Sequence, residues 1–214
     1  MTGPADPAEP GRGPGAGRAA ALFERRAAPT AGLASQAAAV AAACHAMAVR
    51  FHRGGRLVVF GTGGASADAQ HVAVEFVHPV IVGKRALPAI SLTTDVATVT
   101  GVAARDGIAE IFAHQIRYLA APADIALGLS ADGHDSSVLA GLMAARARGM
   151  LTIALAGAGG GALAGHPAVD HLLTAASADP RIVKECQVTM YHLLWELVHV
   201  FFEQPGLLGP EVIP

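Results

Sequence analysis

Two side chains able to move protons or hold a metal, His71 and Glu75, stand four residues apart just behind the stretch Gly61-Thr62-Gly63-Gly64. At positions i and i+4 of a helix they share one face, so both can act on one substrate. A carboxylate whose pKa is moved toward neutrality by burial is a suitable base for taking a proton from carbon beside a carbonyl. A metal or an oriented imidazole beside it would stabilise the resulting enediolate charge. A histidine and a glutamate at this spacing are more often a solvated pair. What favours a site is the glycine loop in front of them.

That loop needs elements to position it. It follows Arg56-Leu57-Val58-Val59-Phe60 and leads into an alanine-rich segment, which reads as strand, tight turn and helix, the arrangement that aims helix N-terminal amides at an anion. Apolar periodicity predicts helices over residues 31–52, 66–77, 109–119, 137–148 and 182–203. It predicts strands over residues 56–60, 89–92, 124–129, 151–155 and 171–174. Such alternation gives βαβ units and an α/β fold with a parallel sheet covered on both faces. The Gly61–Gly64 loop, Ser130-Ala131-Asp132-Gly133 and the Gly157–Gly161 run each follow the carboxyl end of a strand, where open α/β sheets bind ligands. The last of these reads as a flexible connector.

Composition bounds the function. With 214 residues, 52% of them hydrophobic, the chain can bury one sizeable core. Its formal net charge of -2 gives no nucleic-acid surface. Cys44 and Cys186 form no framework and read as reduced, buried thiols of a cytoplasmic protein. Mean hydropathy is positive, yet residues 31–51 are interrupted by Gln36, His45 and Arg50, and residues 193–202 by Glu196 and His199, so neither stretch reads as a membrane span. Residues 1–28 form a Pro-, Gly- and Ala-rich segment that reads as a disordered tail, with a domain over 29–204 and a C-terminal extension over 205–214.

Four motifs together carry a resemblance. The Gly61–His71 segment with Glu75, Leu92-Thr93-Thr94-Asp95, Leu127-Gly128-Leu129-Ser130 with Gly133, and Tyr191-His192-Leu193-Leu194-Trp195-Glu196-Leu197 are similar in order and spacing to the sugar isomerase (SIS) domain family. Within it they resemble the phosphoheptose isomerase subfamily, over residues 31–203. The resemblance implies a three-layer sandwich on a mostly parallel, five-stranded, flavodoxin-like sheet with long N- and C-terminal helices. It implies conversion of sedoheptulose 7-phosphate to a heptose 7-phosphate through an enediol, with Glu75 as the base and His192 as acid/base at the oxygens. Substrate contacts fall on Thr62, Gly63, Gly64, Ser66, Asp95, Ser130, Asp132, Gly133 and Asp135. No cofactor is obligatory; members that hold a divalent metal, usually zinc, would use His71, Glu75 and His192. The expected partners are a sugar phosphate and further copies of the chain, in a homotetramer with sites at interfaces, and neither nucleic acid nor membrane.

The departures concentrate in the pocket. Where the family usually reads Ser-Thr-Ser-Gly-Asn-Ser, this chain has Ser130-Ala131-Asp132-Gly133-His134-Asp135. A carboxylate donates no hydrogen bond and repels a phosphate dianion. Lys184 stands for a glutamine ligand and Gln187 for a histidine, which leaves three metal ligands. His192, among Leu193, Leu194 and Trp195, also reads as a core histidine, and His78 and His199 read as structural or surface residues. Two alternatives stay open beside the isomerase: a non-catalytic SIS protein that binds a sugar phosphate or the replication initiator, and an assembly subunit built on the alanine-rich helix of residues 31–48.

Overall fold

The computed structural model describes residues 14–209. Five strands, β1 (Leu57–Gly61), β2 (Ala89–Ser91), β3 (Ile125–Leu129), β4 (Leu151–Ala156) and β5 (His171–Thr174), form one sheet in the order β2-β1-β3-β4-β5. Every pairing is parallel. β1, β3 and β4 are buried at every position, which is why they read as continuous apolar runs and not as alternating ones. The chain passes from β1 outward to β2 and then returns to β3 on β1's other side. This reversal opens a crevice between the carboxyl ends of β1 and β3, the usual ligand position in such sheets.

Among the described residues there are seven helices, α1 (Pro14–Gly32), α2 (Ala37–His52), α3 (Gly64–Val77), α4 (Val96–Asp106), α5 (Ile111–Leu119), α6 (Ser136–Ala147) and α7 (Pro180–Phe202), of which α2 to α7 flank the sheet and α1 packs on α7. Alternate strand residues point to opposite faces. Leu57, Val59, Ile125 and Leu127 therefore meet α2, α3 and α7 on one side, while Val58, Phe60, Ala126 and Ala154 meet α4, α5 and α6 on the other. The result is the expected three-layer sandwich with a flavodoxin-like strand order.

Two stretches differ from expectation. The segment expected as a tail through residue 28 is helical from Pro14, and Arg25 and Arg26 tie α1 to Asp179 and Glu185 at 2.9 and 2.7 Å. Its alanines favour helix, and these ion pairs fasten it to α7. Residues 1–13 and 210–214 lie outside the described residues. With α1 included, the run Gly15–His52 is long and apolar enough by length and composition to cross a membrane. In this fold Val40, Ala43, Cys44, Met47, Ala48 and Phe51 of α2 belong instead to the core shared with α7. The second difference is α4, hidden by its β-branched residues and Gly101, which are poor helix formers. The Asp95 carboxylate caps it by accepting from the Thr98 amide at 3.1 Å.

Both cysteines are free and buried. Burial pushes the Cys44 thiol up to about 12 and raises that of Cys186, as suits inert packed thiols.

Candidate active site

Helices α3 and α7 lie side by side and run the same way from the carboxyl edge of the sheet. Successive contacts mark the register: Lys184 on Asp68, Tyr191 on His71, and Trp195 Nε1 donating to the Glu75 carbonyl at 3.0 Å. This register brings His192 to Glu75. His71 Nε2 and His192 Nε2 each lie 3.1 Å from the same carboxylate atom, Glu75 Oε1. The three side chains each offer a ligand atom within 4.8 Å of the others. Both imidazoles are 46% exposed while the carboxylate is only 16% exposed, so the cluster is open to solvent on its histidine side. His192 is thus a surface-facing member of a triad and not a core histidine. His199 is structural: it is buried, with its two ring nitrogens 2.8 Å from the Trp195 carbonyl and 2.9 Å from that of Arg85.

A cleft of about 510 Å³ occupies the crevice between β1 and β3. Thr62, Gly64, Ser130, Asp132 and Asp135 line it, and Lys184 of α7 closes one wall. Gly63 and Gly133 belong to the same loops, and Ser66 to the first turn of α3, but none of them lines it. The Ser66 hydroxyl is turned back onto the Gly63 carbonyl at 2.7 Å. Asp95 lies apart, capping α4 at the wall of a different cavity with Thr98 and His114. His71, Glu75 and His192 also lie outside the cleft lining. Asp68 does line it, and Glu75 follows seven residues later, about 10 Å along the helix.

The two loop carboxylates are committed to the protein's own donors. Asp132 Oδ1 accepts from the His134 amide at 2.9 Å. Asp135 Oδ1 accepts from the amides of Ser137 and Val138 at 2.9 and 3.3 Å, capping α6, and its other oxygen accepts from the Thr62 hydroxyl. Burial pushes the Asp135 carboxyl up, but the hydrogen bonds from Thr62, Ser137 and Val138 outweigh that and hold it below the usual carboxylate range. Ser130 Oγ accepts from the Gly133 amide at 2.9 Å.

The Gly157–Gly161 run packs against this loop, which corrects the connector reading. Gly133 has φ +78°, and a Cβ there would meet the Gly160 carbonyl oxygen at 1.9 Å. The Ala162 amide donates to the Gly133 carbonyl at 3.0 Å.

Lys184 and Asp68 were not singled out from sequence as a pair. Lys184 Nζ lies 2.5 Å from Asp68 Oδ2 and 3.0 Å from the Gly64 carbonyl oxygen. No spacing signals this contact, because it depends on how α3 and α7 are rotated against each other. Gln187 is buried and donates to the carbonyls of Ser130 and Leu155 at 2.7 and 3.1 Å, so its amide nitrogen is committed to the backbone where the side chain joins the cleft lining.

Comparison with known proteins decides the family. The SIS domain profile matches residues 23–157. A phosphoheptose isomerase of Solidesulfovibrio magneticus is 41% identical over 172 residues, spanning 80% of this chain and 83% of that protein. This chain belongs to the SIS domain family, in its phosphoheptose isomerase branch. Solved structures agree with the SIS assignment. The phosphoheptose isomerase of Francisella tularensis superposes with a TM-score of 0.80 at 29% identity, covering 86% of this chain and 97% of that one. That of Neisseria gonorrhoeae gives 0.78 at 27% identity, covering 85% and 96%. The match over nearly all of both isomerases shows that the fold is shared as one unit.

Proposed function

We propose that this SIS-domain protein is a phosphosugar aldose-ketose isomerase acting on sedoheptulose 7-phosphate, with Glu75 as the base and His192 as acid/base. The observation that carries the assignment of roles is the meeting of two imidazoles on one oxygen of a mostly buried carboxylate. A protein that only binds a sugar phosphate has no need of such a cluster. The kinship with phosphoheptose isomerases supplies the substrate class.

The chemistry follows from the placement. Glu75 takes a proton from C1 of the ketose while the C2 carbonyl oxygen gains negative charge, and His192 delivers a proton to that oxygen to give the enediol. Glu75 then returns its proton to C2, and His192 takes the O1 proton as the C1 carbonyl forms, so the protons balance. Two imidazole contacts on Oε1 leave Oε2 as the atom facing substrate. The phosphate end occupies the cleft, where Lys184, the α3 N-terminus and Ser130 supply positive charge and polar groups. An extended heptose phosphate spans the stretch of α3 between cleft and triad.

The donor set of two imidazoles and one carboxylate suits a divalent metal such as zinc with an open position. Such an ion would supply a Lewis acid for the enediolate oxygen. Lys184, an ammonium without a lone pair, adds no fourth ligand. The reading includes a homotetramer: exposed Val74, Val77, Leu193 and Val200 lie on the two helices that carry the triad, and a second copy would cover them.

Incubating purified protein with sedoheptulose 7-phosphate tests the proposal. Aldose phosphate should form, and Glu75→Gln should lower kcat roughly 100- to 10,000-fold. Equal turnover by Glu75→Gln would remove the base assignment.

A further inference from the structure

We infer that Lys184, steadied by Asp68, is the specificity-determining residue through which the cleft selects phosphorylated over unphosphorylated ketoses. The inference rests on the reading of the cleft as the seat of the substrate's phosphate. It starts from a cation in an unfavourable place. α3 and α7 both begin at the cleft, where Gly64 and Pro180 line it. Their positive ends favour an anion and give a lysine no stabilisation. The ammonium is nevertheless held there, on the Asp68 carboxylate at 2.5 Å and the Gly64 carbonyl oxygen at 3.0 Å. That carboxylate is only 7% exposed, whereas the lysine side chain is 46% exposed along the cleft wall. The arrangement costs the fold electrostatic stability, which a ligand of opposite charge would offset.

Counting donors identifies the ligand. An ammonium has three N–H groups, and Asp68 and Gly64 take two. The third is left for the cleft. Ser130 is 2% exposed and its Oγ accepts from the Gly133 amide at 2.9 Å, yet its own hydroxyl proton has no acceptor among the described residues. The other charged groups of the lining are committed or negative. Arg181 is chelated by Asp179 at 3.1 and 3.0 Å, and Asp135 is saturated by Thr62, Ser137 and Val138. Asp132 keeps its charge, with one oxygen on the His134 amide. Lys184 is thus the cation on which holding an anion here depends, because the lining's carboxylates by themselves repel a phosphate. A phosphate monoester offers anionic oxygens to both free donors, whereas a hydroxyl carries no charge to complement the ammonium.

Lys184→Gln alone would strand the buried Asp68 carboxylate, so the test uses Asp68→Asn/Lys184→Gln, which holds the net charge of the wild type and replaces the ion pair by two amides. Calorimetric titration with inorganic phosphate needs no turnover. The wild type should bind phosphate saturably, and the double variant roughly 10- to 100-fold more weakly. In the turnover assay the double variant should raise KM for sedoheptulose 7-phosphate by the same factor, with kcat changed less than about threefold, so that the preference over unphosphorylated sedoheptulose falls accordingly. Asp68→Asn alone keeps an amide oxygen for the ammonium and removes a charge that repels the ligand, so it should bind phosphate roughly three- to tenfold more tightly. No saturable phosphate binding by the wild type, equal affinity in the double variant, or weaker binding by Asp68→Asn overturns the inference. Phosphate binding that is lost in the double variant while the wild type turns over no ketose phosphate supports the inference and overturns only the isomerase reading. Full turnover with unchanged KM in the double variant overturns the role of Lys184 and leaves that reading standing.

Discussion

Glu75 Oε1 receives two imidazole nitrogens at 3.1 Å, and this one atom links residues from two helices far apart in the chain. His71 and Glu75 were legible as a pair because i and i+4 share a helix face. His192 was legible only through family resemblance, since its apolar neighbours equally suit a core position. The loop carboxylates line the cleft, but their contacts were not legible: Asp135 serves as the N-cap of α6 and acceptor for Thr62. That role carries a pH prediction. Because the folded state holds the Asp135 carboxyl below its unfolded value, its contribution is fully present above about pH 4 and is lost as pH falls through the lower folded value. Thermal midpoints measured from pH 6 down to pH 2 should fall less steeply for Asp135→Asn than for the wild type. An unchanged slope would show that the cap contributes nothing to acid sensitivity.

The elements that build the sheet were readable because buried parallel strands are short continuous apolar runs. β5 falls on His171–Thr174 as expected, and β1, β3 and β4 differ only at their ends. α1 and α4 were not readable, since one lies in a Pro- and Gly-rich composition and the other in β-branched residues, and both depend on contacts made after folding. The same holds for what joins α7 to the sheet. Gln187, read as a lost metal ligand, donates from a buried position to the carbonyls of Ser130 and Leu155 and so ties α7 to the carboxyl ends of β3 and β4. Gln187→Leu should leave both carbonyls without that donor and cost about 1–3 kcal/mol, seen as a lower urea midpoint at unchanged slope. A neutral effect would mean that other donors replace the amide.

At the scale of the molecule, the cleft and the triad occupy two levels of the same helix pair, and the triad's exposed side still lacks a wall. Val74, Val77, Leu193 and Val200 on the two helices that carry it, with Val80 and Val82 in the loop after α3, are exposed apolar side chains that a second copy of the chain would cover under the proposed assembly. Sedimentation analysis should give a mass four times the 21.6 kDa of the chain; a monomer at micromolar concentration would leave the triad without the proposed cover. Proton transfer at carbon remains the claim on which the rest depends, and NMR of sedoheptulose 7-phosphate incubated with the protein in D2O reads it directly. The wild type should form aldose phosphate, with deuterium entering at C2 in those turnovers where the Glu75 proton exchanges with solvent before its return, and Glu75→Gln should form neither product nor exchanged substrate. A wild-type protein that gives no aldose phosphate and exchanges no C1 proton, or a Glu75→Gln variant that matches it in full activity, would contradict the account.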